Sequence, residues 1–190
     1  MSNNIFFDTS KLKSCGSNVI IGKAVRIRTP ELVSIGDNVI IDDFTYISGS
    51  VDIGDYVHIG PGCVLAASTG NITIKALSGL SSGCKLYAGS SSYMKCGLDL
   101  PTIPKEHQFN VIIEDVFLDS FALIGAGGVV LPGCHLPQGF AVAAGLIVRK
   151  NIDKKRWHVL LDNEGKILPR RGVDELSRRV QKFYPMEITK

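Results

Sequence analysis

An isoleucine, leucine or valine recurs every six residues along most of this chain. The series runs through Ile35, Ile41, Ile47, Ile53, Ile59 and Leu65, resumes at Ile74, Leu80 and Leu86, and resumes again at Ile112, Leu118, Ile124, Val130, Leu136, Val142 and Val148. Ile21 and Ile27 are earlier members, set apart by an insertion around Pro30. A period of six matches neither a helix nor a lone alternating strand. It matches a solenoid whose every turn consists of several short strands. The residue two before each anchor is mostly small or β-branched, as at Val39, Thr45, Cys63, Cys84, Ala122 and Cys134. Side chains two apart share one face of a strand, so anchor and partner both point inward. Glycines after the anchors (Gly22, Gly36, Gly54, Gly60, Gly125) are expected to ease the bends. Three hexads then make a triangular coil of about 18 residues, with coils stacked at roughly 4.8 Å by parallel pairing.

The breaks in the period are as informative as the period. Leu65 to Ile74 is three residues too long and predicts a bulge over residues 66–71. A larger break, residues 89–110, is polar and carries Pro101 and Pro104. A long loop inside a compact repeat is usually functional, and this one is expected to shape an active site. After Val148 the repeat stops. Residues 157–161 and 166–168 flank Asp162-Asn163-Glu164-Gly165 and predict a hairpin; Val173, Leu176, Val180 and Phe183 then have helical spacing. The chain therefore divides into a β-helix over residues 1–152 and a hairpin-and-helix extension over 153–190 that caps the solenoid.

Composition adds bounds. The chain has 190 residues, 45% of them hydrophobic, enough for one domain with an ample core. No apolar run is long enough for a membrane span and the first residues lack a signal-peptide layout, so a cytoplasmic protein is expected. Five cysteines argue against a disulfide framework, and no zinc-ligand spacing is present, so no metal is predicted. Cys63, Cys84 and Cys134 fall in the inward register and are expected in the core. Of the net charge of +3, residues 149–190 carry +6 and the remainder −3, a basic end that suits an anionic ligand such as a nucleotide. No basic run is interleaved with aromatics, which argues against nucleic acid.

The segments VIIDDFTYIS, VDIGDYVHIGPGCVL, GLSSGCKLYAGSSSY, PTIP and ALIGAGGVVLPG, spread over about residues 33–152, resemble the hexapeptide-repeat acyltransferases of the left-handed parallel β-helix superfamily. Within it they resemble a branch of sugar or polysaccharide O-acetyltransferases. The resemblance implies a left-handed helix and a homotrimer with active sites between subunits. It also implies direct transfer from acetyl-CoA to a sugar hydroxyl, or amine, in surface-polysaccharide or glycan-precursor assembly. A histidine usually acts as base in this family, and an imidazole suits that task near neutral pH. His58 falls on the family's HI position and precedes anchor Ile59, so it points outward; His107, in the loop, is the second choice. Asp42 and Asp43, which follow anchor Ile41, are candidates to orient the imidazole. Gly125, Ala126, Ala143 and Ala144 match the family's close-approach positions for coenzyme A, with Arg149 and Lys150 toward its phosphates. Ser92 and Tyr93 are assigned to the acceptor pocket, although two acidic residues usually precede that tyrosine and here Ser91 and Ser92 do. The alternative is a non-catalytic trimeric β-helix that serves as a structural or binding module. A carbonic anhydrase of this fold is excluded because the paired histidine spacing of its zinc site is missing.

Overall fold

The structure, a computed structural model, describes residues 7–92 and 99–189. Its strands stack into parallel ladders that form the three faces of a triangular helix. One face is a ladder of Ile20–Ile21, Ile40–Ile41, His58–Ile59, Gly79–Leu80, Leu123–Ile124, Ala141–Val142 and His158–Leu160, one strand per coil. The long strands Tyr46–Ile53 and Val64–Ile74 each cross from the second face to the third, and their pairing slips between Ser48 and Ser50. That slip is the bulge expected from the spacing of Leu65 and Ile74. Anchors stack on anchors, Ile41 on Ile59, Ile59 on Leu80, Leu80 on Ile124, Ile124 on Val142. They are buried together with Val39, Thr45, Cys63, Cys84 and Cys134. A slip of one residue would turn the whole set outward, which is why the period is kept so strictly.

Ile112 departs from this scheme. It is 39% exposed and lies in the strand Val111–Ile113, which pairs antiparallel with Gly89–Ser91 in a two-stranded ribbon. The ribbon stands off the helix, and the first inward residues after it are Val116 and Leu118. The six-residue gap from Ile112 to Leu118 is thus a coincidence of spacing: the interruption runs three residues further than residue 110.

The glycines also do a different job from the one expected of them. Positive φ falls three residues before the anchors, at Asn18, Asn38, Phe44, Tyr56, Leu77, Phe121 and Trp157, and at Gly62, Gly83, Gly127, Gly133, Gly139 and Gly145. The glycines after the anchors are needed for close approach instead. A Cβ on Gly54 would lie 2.7 Å from the Ala76 nitrogen, and one on Gly125 2.6 Å from that of Ala144.

The hairpin His158–Leu160/Ile167–Pro169 and the helix Val173–Val180 form where the sequence places them. Val159 pairs with Ala141, so the hairpin extends the first face by one more coil. The helix and the segment after it then lie along one corner of the solenoid. Trp157, Phe121 and Val180 are buried there, with Leu77, Leu176, Tyr184 and Met186 packed against them. The Tyr184 hydroxyl donates to Asp55 Oδ2 at 2.7 Å, Gln138 Nε2 donates to the Glu187 carbonyl at 3.0 Å, and Trp157 Nε1 donates to that of Thr189 at 2.8 Å. The hydrogen bond to Asp55, with some burial, pushes the Tyr184 phenol from 10.0 up to about 12. Because the folded value is raised, this contribution is complete below pH 10 and is lost as pH rises through 12. Tyr184→Phe is expected to cost about 1 kcal/mol at neutral pH and to remove that alkaline loss of stability. Urea titrations at pH 8 and 11.5 check both.

Candidate active site

His58 stands on the first face, next to Ile40 of the preceding coil and Gly79 of the following one. Its ring is outward because the anchor beside it, Ile59, is inward. Asp42 follows the stacked anchor Ile41 and therefore lies on the same outer side. The two meet: His58 Nε2 is 2.8 Å from Asp42 Oδ2, with both side chains partly exposed. A carboxylate at Nε2 favours a proton on that nitrogen and leaves Nδ1 as the free acceptor. Asp43 does not join them. Its Oδ1 accepts the Ala24 N–H at 2.7 Å and braces the preceding coil.

A cavity of 560 Å³ opens beside the pair, lined by His58, Leu77, Gly79, Ser81, Ser82 and Leu123, among others. Gly125 also lines it. The corner strips after the anchors are stacked one on another: Gly127 N–H donates to the Ser82 carbonyl at 2.9 Å, and Gly145 N–H to that of Ala126 at 2.8 Å. Gly125, Ala126, Ala143 and Ala144 thus form a continuous strip of small residues leading away from the His58 cavity. Leu77, Gly79, Ser82 and Leu123 escaped the sequence reading. The signal was available: each has a fixed offset from an anchor that sets it outward beside His58.

The remaining candidates occupy a second place. Ser92 and Arg149 line a separate cavity of 480 Å³ under the ribbon, together with Glu114 and Lys150. The two cavities share no lining residue. Lys150 Nζ is bound to Glu114 at 2.7 and 3.0 Å, so its charge is already paired, while Arg149 is exposed. His107 sits in the short turn Lys105–His107 of the loop, exposed. Tyr93, like Cys96, lies outside the described residues. Of the other histidines, His135 packs edge-on against Phe117 at 4.8 Å and His158 Nδ1 is 2.8 Å from the Arg156 carbonyl oxygen. Contact with Cys84 and burial push the Cys63 thiol up, and burial does the same for Cys134, which fits inert core residues.

The hexad-built parallel β-helix and the comparisons with known proteins agree on one class: the chain belongs to the hexapeptide-repeat acyltransferases. The helix is left-handed. Residues 33–67 match the bacterial transferase hexapeptide family (six repeats). The chain is 33% identical over 144 residues to the dTDP-4-amino-4,6-dideoxy-D-glucose acyltransferase of Escherichia coli, with 74% of each chain covered. It is similar over nearly its whole length to AntD, an N-acyltransferase from Bacillus cereus solved with dTDP and 3-hydroxybutyryl-CoA. There the TM-score is 0.84 at 30% identity, covering 94% of this chain and 97% of that one. A hexapeptide-repeat acetyltransferase of Vibrio cholerae, solved with acetyl coenzyme A, shares the fold alone, with a TM-score of 0.54 at 17% identity over 86% of this chain and 73% of that one.

Proposed function

We propose that this chain transfers an acyl group from a coenzyme A thioester to the 4-amino group of a nucleotide-linked deoxysugar, a precursor of a surface glycan. The observation that carries the reading is the His58–Asp42 pair, whose histidine lines the 560 Å³ cavity. In the proposed step His58 Nδ1 takes a proton from the acceptor nitrogen as that nitrogen attacks the thioester carbonyl. A C–N bond forms, the C–S bond breaks, and coenzyme A leaves as the thiolate with the electron pair and takes up the proton that His58 gained, which releases the thiol. Asp42 holds the ring in the tautomer that can accept the proton and offsets the charge it gains. The same base serves a hydroxyl acceptor, which the sequence motifs favour. The relatives at about 30% identity and above act on an amino sugar or are N-acyltransferases, and they move the proposal to the amine.

The two cavities give the reading its second part. One chain carries the base on one side and the loop with Ser92 and Arg149 on another. A homotrimer in which one subunit's loop closes on the next subunit's His58 face would join them. Ile20, Ile40 and Leu123, each about two-fifths exposed beside His58, give that face the apolar character of a subunit contact.

Thiol release from acetyl-CoA tests the proposal. Release is expected to require a dTDP-4-amino-4,6-dideoxyhexose and to fall at least tenfold with the 4-hydroxy analogue. Release only with the hydroxy sugar would return the enzyme to O-transfer. No thioester cleavage, together with no thermal shift on adding coenzyme A, would favour the non-catalytic binding module.

A further inference from the structure

Bulky residues at positive φ are of two kinds in this chain. Tyr56, Leu77, Phe121 and Trp157 stand at one corner, and the tail covers them. Leu77, Phe121 and Trp157 pack with Val180, and Tyr56 meets the rings of Phe183 and Tyr184 edge-on at 5.5 and 5.2 Å. Those contacts offset the steric cost of a left-handed residue that carries a Cβ. Phe44 is the exception. Its φ is 63°, it is 76% exposed, and among the described residues no ring lies against it. The rest of its corner shows what the position favours. In the four coils that follow, the residue stacked on Phe44 is Gly62, Gly83, Gly127 and then Gly145, with φ of 69–75°. A Cβ on Gly62, Gly127 or Gly145 would meet nothing within 4 Å, so the left-handed backbone and not crowding accounts for these glycines. Phe44 therefore holds a strained backbone and puts a phenyl ring into water, with no contact inside the chain to offset either.

The place of Phe44 selects what could offset them from outside. It lies two residues beyond Asp42, so the two Cα atoms are at most about 7 Å apart. Asp42 in turn holds the His58 ring at 2.8 Å. The strip of small residues, which the resemblance gives to coenzyme A, leads from the His58 cavity toward the later coils, whereas Phe44 belongs to the coil before His58. The donor thus runs away from Phe44, and the reactant within its reach is the sugar that brings the nitrogen to His58. A hexose has a face of C–H groups and a 6-deoxy sugar adds a methyl, both apolar surfaces that a phenyl ring covers favourably. We propose that Phe44 is the platform on which the acceptor's hexose ring lies while its amino nitrogen reaches His58. The inference rests on the reading above and adds the residue that binds the sugar itself.

The test measures transfer from acetyl-CoA to dTDP-4-amino-4,6-dideoxy-D-glucose by the wild type, Phe44→Gly, Phe44→Asn and Phe44→Tyr. Glycine and asparagine both suit a left-handed corner, so these two variants should fold and melt about 2–4 °C above the wild type. Both should raise KM for the acceptor about tenfold, the usual worth of one well-placed aromatic contact. Their kcat and KM for the donor should stay unchanged, as for a contact made equally in the ground and transition states. Phe44→Tyr restores the ring and should keep the wild-type KM for the acceptor. An acceptor KM that does not move in Phe44→Gly and Phe44→Asn, or a donor KM that rises in its place, overturns the inference and leaves the His58 reading standing. A lower melting temperature with a changed oligomeric mass would show that a neighbouring copy covers Phe44, and also overturns it. Absence of thiol release by the wild type with this acceptor sinks the underlying reading and this inference together.

Discussion

Replacing His58 with alanine is expected to lower kcat for acyl transfer by about 10² or more, the usual worth of a positioned general base. That loss corresponds to about 2.7 kcal/mol in the transition state. Stability should change little, because 59% of the side chain is exposed and its tie to the preceding coil, the contact with Asp42, is a surface pair. Asp42→Asn is the companion variant. It keeps a side chain of the same shape opposite Nε2 at the 2.8 Å contact but removes the charge that supports the protonated ring. It should lower kcat by about tenfold, less than His58→Ala, and leave KM for the donor nearly unchanged, since an interaction made only in the transition state affects kcat. Asp43→Asn separates the two carboxylates. Its side chain braces the Ala24 N–H, so its effect should appear in the melting temperature and not in kcat. A His58→Ala enzyme at full rate would remove this residue as the base and pass the role to His107 in the loop.

How far the sequence reaches into this molecule depends on whether a residue's job is tied to the period. The anchors and their partners two before are fixed by steric packing against the next coil, and the inward set follows from that alone. His58 and Asp42 were found because outward is the complement of inward. Choosing between Asp42 and Asp43 was out of reach: adjacent residues at a corner differ by a side-chain direction that only the built backbone supplies. Ile112 misled because a ribbon strand and a coil strand can both be apolar, and one residue of coincidence mimics the period. The split between Gly125 and Arg149 was hidden for a related reason. Gly125 follows an anchor of one face and Arg149 an anchor of another, with a corner between them. The large residues at the positive-φ corner, Tyr56, Leu77, Phe121 and Trp157, each lie three before an anchor. That offset was visible in the chain, but its meaning depends on a tail far downstream.

Trp157→Ala is expected to destabilise the protein by about 3–5 kcal/mol, the cost of emptying a large buried aromatic site. Only 6% of Trp157 is exposed; its ring lies 5.4 Å from that of Phe121, and Gly139 leaves room for it where a Cβ would collide. Its φ of 56° is a region that side-chain-bearing residues avoid at a cost of about 1–2 kcal/mol. The contacts of the tail must therefore outweigh this strain, and Trp157→Gly should be no worse than Trp157→Ala, against the ordinary order of the two residues. The larger consequence concerns cooperativity. In a solenoid each coil contacts only its neighbours, so an end can fray without disturbing the rest. Here the tail reaches from Trp157 and Gln138 to Asp55, several coils away, and ties non-neighbours together. Without the Trp157 anchor, hydrogen exchange should rise first in the strands Ala141–Val142, Ile147–Val148 and His158–Leu160, before Ile40–Ile41 is affected. The urea transition should broaden as well. A uniform loss of protection with an unchanged urea slope would mean that the tail adds stability without coupling the coils. Leu77 belongs both to the corner under the tail and to the wall of the His58 cavity, so loosening the tail should also raise KM for the donor.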